Sequence, residues 1–134
     1  MKRIYFILIL LGFLLFNGCQ NVHQSIRRYR EAADRVEIGD SKEKVLSILL
    51  PTQEDLPAGQ RKPPERYIKD GKKVEIYYFR SLSQGDTILT DDEFTPYIFE
   101  NGELVAIGWA YLGGPKTQAY PTPEPRIQFH GGYG

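Results

Sequence analysis

One cysteine, Cys19, and two histidines, His23 and His130, are all the soft metal ligands this chain contains. A lone cysteine rules out an intrachain disulfide, and the set is too small for a structural zinc site. A basic excess is also missing. Lys and Arg number 17 against 17 Asp and Glu, and from Cys19 onward 15 basic residues face 17 acidic ones. The chain therefore lacks the positive surplus with which nucleic-acid binders neutralise phosphates. No G-x-x-x-x-G-K-[ST] phosphate loop is present. A hydrolase would need a nucleophile and a general base fixed on rigid elements, but His23 falls in a polar stretch and His130 in a Gly/Pro-rich one. Neither an enzyme nor a cofactor is expected.

Hydrophobic residues make up 41% of the 134, and 13 of them crowd into residues 1–18. What remains suffices for one small domain. Lys2 and Arg3 lead into Ile4 to Phe16, apolar except at Gly12, which is the layout of a secretory signal. The run stops at Asn17, short of the roughly 20 apolar residues that a comfortable membrane span needs. Leu15-Phe16-Asn17-Gly18-Cys19 resembles a bacterial lipobox. That resemblance implies removal of residues 1–18 and lipidation of Cys19 by diacylglyceryl and palmitate-like acyl chains. Each buried methylene contributes about 0.8 kcal/mol, so two or three chains hold a protein on a membrane essentially permanently. Gln20, rather than Asp, follows the cysteine. In the Gram-negative lipoproteins it resembles, this favours the outer membrane, with the domain facing the periplasm; in other bacteria the same anchor implies the cell membrane. Two alternatives stay open: an ordinary signal with Cys19 incidental, and an uncleaved anchor helix.

Residues 19–24 are polar and read as a short tether. Ser25 can then cap a helix carrying Ile26, Tyr29, Ala33 and Val36 on one face, with charged pairs Arg27–Glu31, Arg30–Asp34 and Glu31–Arg35 elsewhere. Arg27, Arg28 and Arg30 could touch anionic headgroups, although a solvated helical face is the simpler reading. Gly39 is expected to end this helix, and Asp40 or Ser41 to cap a second one whose apolar face is Val45, Leu46, Ile48, Leu49 and Leu50. Pro51 should stop it. Residues 51–66, with four prolines and little hydrophobic content, read as a loop long enough to be mobile.

From Tyr67 to Leu112 nine of the seventeen aromatics are mixed with β-branched residues, a composition suited to a sheet. Strands are predicted over 73–81, 94–100 and 103–112, and Tyr67-Ile68 is a candidate for a further short strand turning through Asp70-Gly71. Val74, Ile76 and Tyr78 alternate with Glu75, Tyr77 and Phe79. Asn101-Gly102 demands a tight hairpin. In the connection 82–93, Asp91, Asp92 and Glu93, with Asp86, lack the ligand alternation of a calcium loop and read as a solvated turn. Residues 113–134 hold nine Gly or Pro among 22 and five hydrophobic residues. They are expected to be disordered, with Tyr120, Ile127, Phe129 and Tyr133 as possible partner anchors.

The segment Ile38-Gly39-Asp40-Ser41-Lys42-Glu43-Lys44-Val45-Leu46-Ser47-Ile48-Leu49 is similar to a motif of the BamE family (SmpA/OmlA), small outer-membrane lipoproteins, at Gly39, Ser41, Val45 and Leu49. Ile76-Tyr77-Tyr78-Phe79 resembles the family's aromatic first strand, and Phe99-Glu100-Asn101-Gly102-Glu103-Leu104 its hairpin. Leu50 stands where the family usually has Gly, and Pro51 comes one residue early. The resemblance covers about residues 30–112 and implies an α+β domain over 25–112, two N-terminal helices on a three-stranded antiparallel sheet (ααβββ), as also occurs in β-lactamase-inhibitor-like domains. It further implies a non-enzymatic protein-interaction module of the cell envelope, in outer-membrane protein assembly or envelope integrity. Tyr77, Phe79, Tyr97, Phe99, Trp109 and Tyr111 would divide between core and contact with an envelope protein. The alternative is an inhibitor or ligand-binding periplasmic lipoprotein that presents loop 51–66 or 82–93.

Overall fold

The computed structural model describes residues 2–85 and 88–117; inside the first helix the side chains of residues 2, 6 and 8–20 lie outside that description. The chain is α+β, with helices α1 (Lys2–Ala33) and α2 (Lys42–Leu49) and a four-stranded antiparallel sheet. Its strands are β1 (Glu65–Lys69), β2 (Lys72–Arg80), β3 (Phe94–Glu100) and β4 (Glu103–Ile107), adjacent in chain order. Short 3-10 turns occupy Leu50–Gln53, Ala58–Gln60, Asp91–Glu93 and Trp109–Leu112. The sheet thus has four strands where three were predicted. The candidate at Tyr67-Ile68 is a full partner of β2, joined to it by Asp70-Gly71, both at positive φ as a type I′ turn requires. Asn101-Gly102 makes the matching turn between β3 and β4.

The predicted tether is helical: α1 runs unbroken through residues 19–24, so the backbone of Cys19 belongs to the same helix that packs on the domain. Among the described residues no helix is long and apolar enough to cross a membrane. Nor does Gly39 end α1, which stops at Ala33. Gly39 instead lies in the following turn at φ +97, where its N–H donates to Leu104 C=O at 2.8 Å. Helix α2 starts as expected, with the Ser41 hydroxyl accepting from Lys44 N–H, and drives Val45 and Leu49 to full burial. Pro51 enters a 3-10 turn whose missing N–H is harmless at a first-turn position.

Helices and sheet close one core: Tyr29, Ala32, Val36, Val45 and Leu49 pack on Phe79, Tyr97, Phe99 and Leu104. Tyr29 and Tyr97 share a hydroxyl–hydroxyl bond of 2.8 Å inside it. The other sheet face is covered as well. Val74, Ile76 and Ile98 form a second cluster beneath Leu112 and the half-buried Tyr78. This lid exists because β4 stops early, at Ile107 rather than 112. Pro96, opposite, accepts from Gly108 N–H at 2.8 Å but has no N–H to return, so the ladder ends. Gly108 (φ +97) then turns the chain, and Trp109 stacks on Tyr78 while its Nε1–H donates to Phe94 C=O at 2.8 Å.

The loop after α2 is pinned rather than mobile at its start. Leu56 is buried, Ser25 Oγ–H donates to Thr52 C=O at 2.5 Å, and the Gln53 amide acts as a strand partner to Arg80. It accepts from Arg80 N–H at 2.7 Å and donates to Arg80 C=O at 3.4 Å.

Candidate interaction surface

The pleat sorts the six aromatics singled out in the sequence. Phe79, Tyr97 and Phe99 are all but inaccessible (0–1% exposed), so they build the core. The alternation in β2 signals two faces, and both faces turn out to be packed. Tyr77 and Trp109 are half-buried, and only Tyr111, 46% exposed, stands clear, with its hydroxyl donating to Glu100 Oε1 at 2.6 Å. That bond, with Lys72 adding another, holds the Glu100 carboxyl below the usual range. Sequence reasoning missed Tyr67, 40% exposed on β1, and Tyr78. Tyr67 could have been found from the Asp70-Gly71 turn signal, which makes residues 65–69 an edge strand.

Two grooves flank Tyr78. One, of about 500 Å³, lies under the proline loop and is lined by Leu50, Ala58, Pro63, Pro64, Tyr77 and Phe79, with Arg61 and Lys62 at its margin. The other, of about 250 Å³, lies between β1 and the 3-10 lid, against Tyr67, Ile76, Trp109 and Leu112. Lys62 and Tyr78 form the ridge between them. The Lys62 ammonium sits 4.8 Å from the Tyr78 ring centre and pairs with Asp91 at 2.7 Å. Burial pushes the Tyr78 hydroxyl well above its ordinary range, and the neighbouring Glu65 and Asp91 carboxylates push it further. It stays a neutral donor. Burial would raise the Asp91 carboxyl, but the Lys62 bond and backbone N–H donors, including Lys116, outweigh it and hold it low. Asp91 N–H also donates to Thr117 Oγ1 at 2.8 Å, so residues 113–117 of the predicted flexible tail are tied to the ridge. Tyr120, Ile127, Phe129, His130 and Tyr133 lie outside the described residues.

Two charged junctions frame this surface. Glu75, its side chain 3% exposed on β2, gathers Lys42 (3.0 Å), Arg66 (3.2 Å) and Lys73 (3.5 Å). Burial pushes its carboxyl up, and bonds from Lys42 and Arg66 more than reverse this, leaving it lowered. The acidic run is no solvated turn either. Glu93 is 1% exposed, pairs with Arg80 at 3.4 Å, and accepts from Thr90 N–H and Gln84 N–H at 3.0 Å. Asp86 lies outside the described residues. His23 is exposed on α1. Among the described residues no three His, Cys, Asp or Glu side chains come close enough to share a metal ion. The Cys19 side chain lies outside the description; its backbone belongs to α1.

No family pattern, no characterised protein and no solved structure matches the chain.

Proposed function

We propose that the chain is a lipoprotein, anchored to the membrane through Cys19, whose domain is a non-enzymatic protein-interaction module of the cell envelope, of BamE-like ααβββ descent with an added edge strand. In a Gram-negative source it sits on the periplasmic face of the outer membrane. The observation that carries the interaction role is the pair of grooves about Tyr78, where apolar and aromatic walls meet the Lys62 and Arg61 cations. Such a mixture suits an apolar peptide segment with an acidic residue, since buried aromatic and Arg anchors carry much of the energy of protein contacts and the polar rim matches charge. The BamE-like descent is supported by the roles of the motif positions. Gly39 takes a positive φ, Ser41 caps α2, and Val45 and Leu49 fill the core.

Globomycin, which blocks lipoprotein signal cleavage, should leave the precursor unprocessed, and Cys19→Ala should release the protein from membranes; unchanged processing and retention would remove the anchor from this reading. Crosslinking in intact membranes should recover an envelope protein with the wild type and less of it with Tyr78→Ala. Recovery equal to a tagged control would remove the interaction role. The proline loop also borders the larger groove, which favours a second reading as an inhibitor or ligand-binding lipoprotein. Peptidoglycan pull-down together with protease and β-lactamase inhibition assays tests it, and no response in any of them would dismiss it.

A further inference from the structure

Among the described residues no strand pairs with the outer edge of β1, and the sequence of that strand is complementary to itself. Strand β1 reads Glu65-Arg66-Tyr67-Ile68-Lys69, all five residues exposed, Ile68 at 71%. The two-residue turn at Asp70-Gly71 makes Lys69 and Lys72 a hydrogen-bonded pair, so Lys69, Tyr67 and Glu65 turn their backbone groups inward to β2. Arg66 and Ile68 therefore turn theirs outward. The same parity is visible at the far edge. The turn pairs Glu100 with Glu103, and the next residue, Leu104, directs both N–H and C=O outward, to Asp40 C=O and Gly39 N–H.

We propose that β1 pairs antiparallel with β1 of a second copy of this chain, about a two-fold axis at Tyr67, joining two four-stranded sheets into one of eight strands. In that register all five residues of each strand are matched. Arg66 of one copy faces Ile68 of the other, and the outward groups of these two residues make four backbone hydrogen bonds across the axis. Glu65 faces Lys69 twice, and Tyr67 faces its own counterpart at the non-hydrogen-bonded position, where side chains approach closest. Centring on Arg66 instead would oppose two guanidinium groups and bring Pro64, which has no N–H, against Ile68. Charges on an edge strand ordinarily deter pairing. On this edge one acidic and one basic end turn the deterrent into a match for a reversed copy, as an isologous interface requires. The Glu65 carboxylate accepts from the Tyr78 hydroxyl and, being exposed, keeps lone pairs for the partner's lysine. A five-residue edge, about 17 Å long, makes a small contact, so the dimer is weak and depends on concentration. It does not depend on lipidation of Cys19.

The test uses the full chain in membranes under mild oxidation. Tyr67→Cys should give a disulfide-linked dimer, because the facing Cα atoms at that position lie about 4.5 Å apart, within disulfide reach. Ile107→Cys, exposed at the opposite edge, and the wild-type chain with Cys19 alone should give little. On the Tyr67→Cys background, Glu65→Lys or Lys69→Glu should each lower the yield about tenfold, since two attractive pairs become repulsive. The double swap Glu65→Lys with Lys69→Glu should restore it. A yield no higher than that of Ile107→Cys, or no rescue by the double swap, overturns the proposal. So does a disulfide formed to a different envelope protein in place of a second copy. If crosslinking appears only after deletion of residues 118–134, the tail occupies the edge, and the proposal fails.

Discussion

The two edges of the sheet are built oppositely. At the start of β4 the edge is closed by the chain itself, where Gly39 N–H, Leu104 N–H and Lys42 N–H make bonds of 2.8, 2.9 and 2.8 Å between segment 39–42 and residues 102–104. Along β1 no strand pairs with the outer edge among the described residues, and all five residues are exposed. The closed edge shows how a sheet is sealed by a turn that needs one glycine and one helix cap. The open edge shows what such a sheet retains for pairing. Glu75 joins the two, since Lys42 comes from the closing segment and Arg66 from the open strand.

The largest effect should come from beneath the closed edge. Leu104 is fully buried, and Leu104→Ala should cost about 2–5 kcal/mol through lost burial and a residual cavity, read as a fall in the denaturant midpoint. A smaller loss would mean that the seal relaxes into the space. Next comes Gly39→Ala. A Cβ there meets only Glu103 Oε1, at 3.9 Å, so the cost is the positive φ alone, about 1–2 kcal/mol. Neutral behaviour would show that the turn can change its conformation without unsealing β4.

Acid should loosen both edges through Glu75. Its folded-state pKa is lowered, so the native state binds fewer protons than the unfolded chain in the interval between the two values. The stabilisation is present above the ordinary carboxylate value of about 4 and is lost as pH falls through the folded one. Glu75→Gln should be less stable at neutral pH and should lose less stability on acidification. Parallel pH curves for the two proteins would assign the acid response to other carboxylates, such as Asp91. The smallest effect belongs to the open edge, where Ile68→Ala should change monomer stability by no more than about 0.5 kcal/mol. In dilute monomer the Ile68 amide should also exchange with solvent far faster than that of Leu104. Equal protection would contradict the open edge.

Much of this architecture can be read from local signals. Asn101-Gly102 admits only a tight turn, Ser41 followed by Val45 and Leu49 sets a capped amphipathic helix, and alternation in β2 marks a strand. The fourth strand is harder to see, because an edge strand with no buried residue carries no hydrophobic alternation, and only its turn announces it. Pro96 was visible inside a strand, but its effect depends on which neighbour needs the missing N–H, and pairing alone decides that. Of the candidate contacts, composition could identify aromatics but could not separate Phe79, Tyr97 and Phe99 from Tyr67 and Tyr78. Both faces of the sheet are covered, and the second cover is the short turn at Trp109–Leu112. Continuity of α1 through residues 19–24 was hidden for another reason: polar residues suit a helix surface as readily as a linker.

That continuity alters what an attachment at the N-terminal side would do mechanically. Ser25, where packing against the domain begins, is the sixth residue after Cys19, and the helix between them forms a stiff post about 9 Å tall. A flexible string of the same length would let the domain tumble and present any side to its surroundings. A post transmits orientation, so whatever grips Cys19 also sets the compass bearing of the sheet, and copies held on one surface meet with their tilt already restricted.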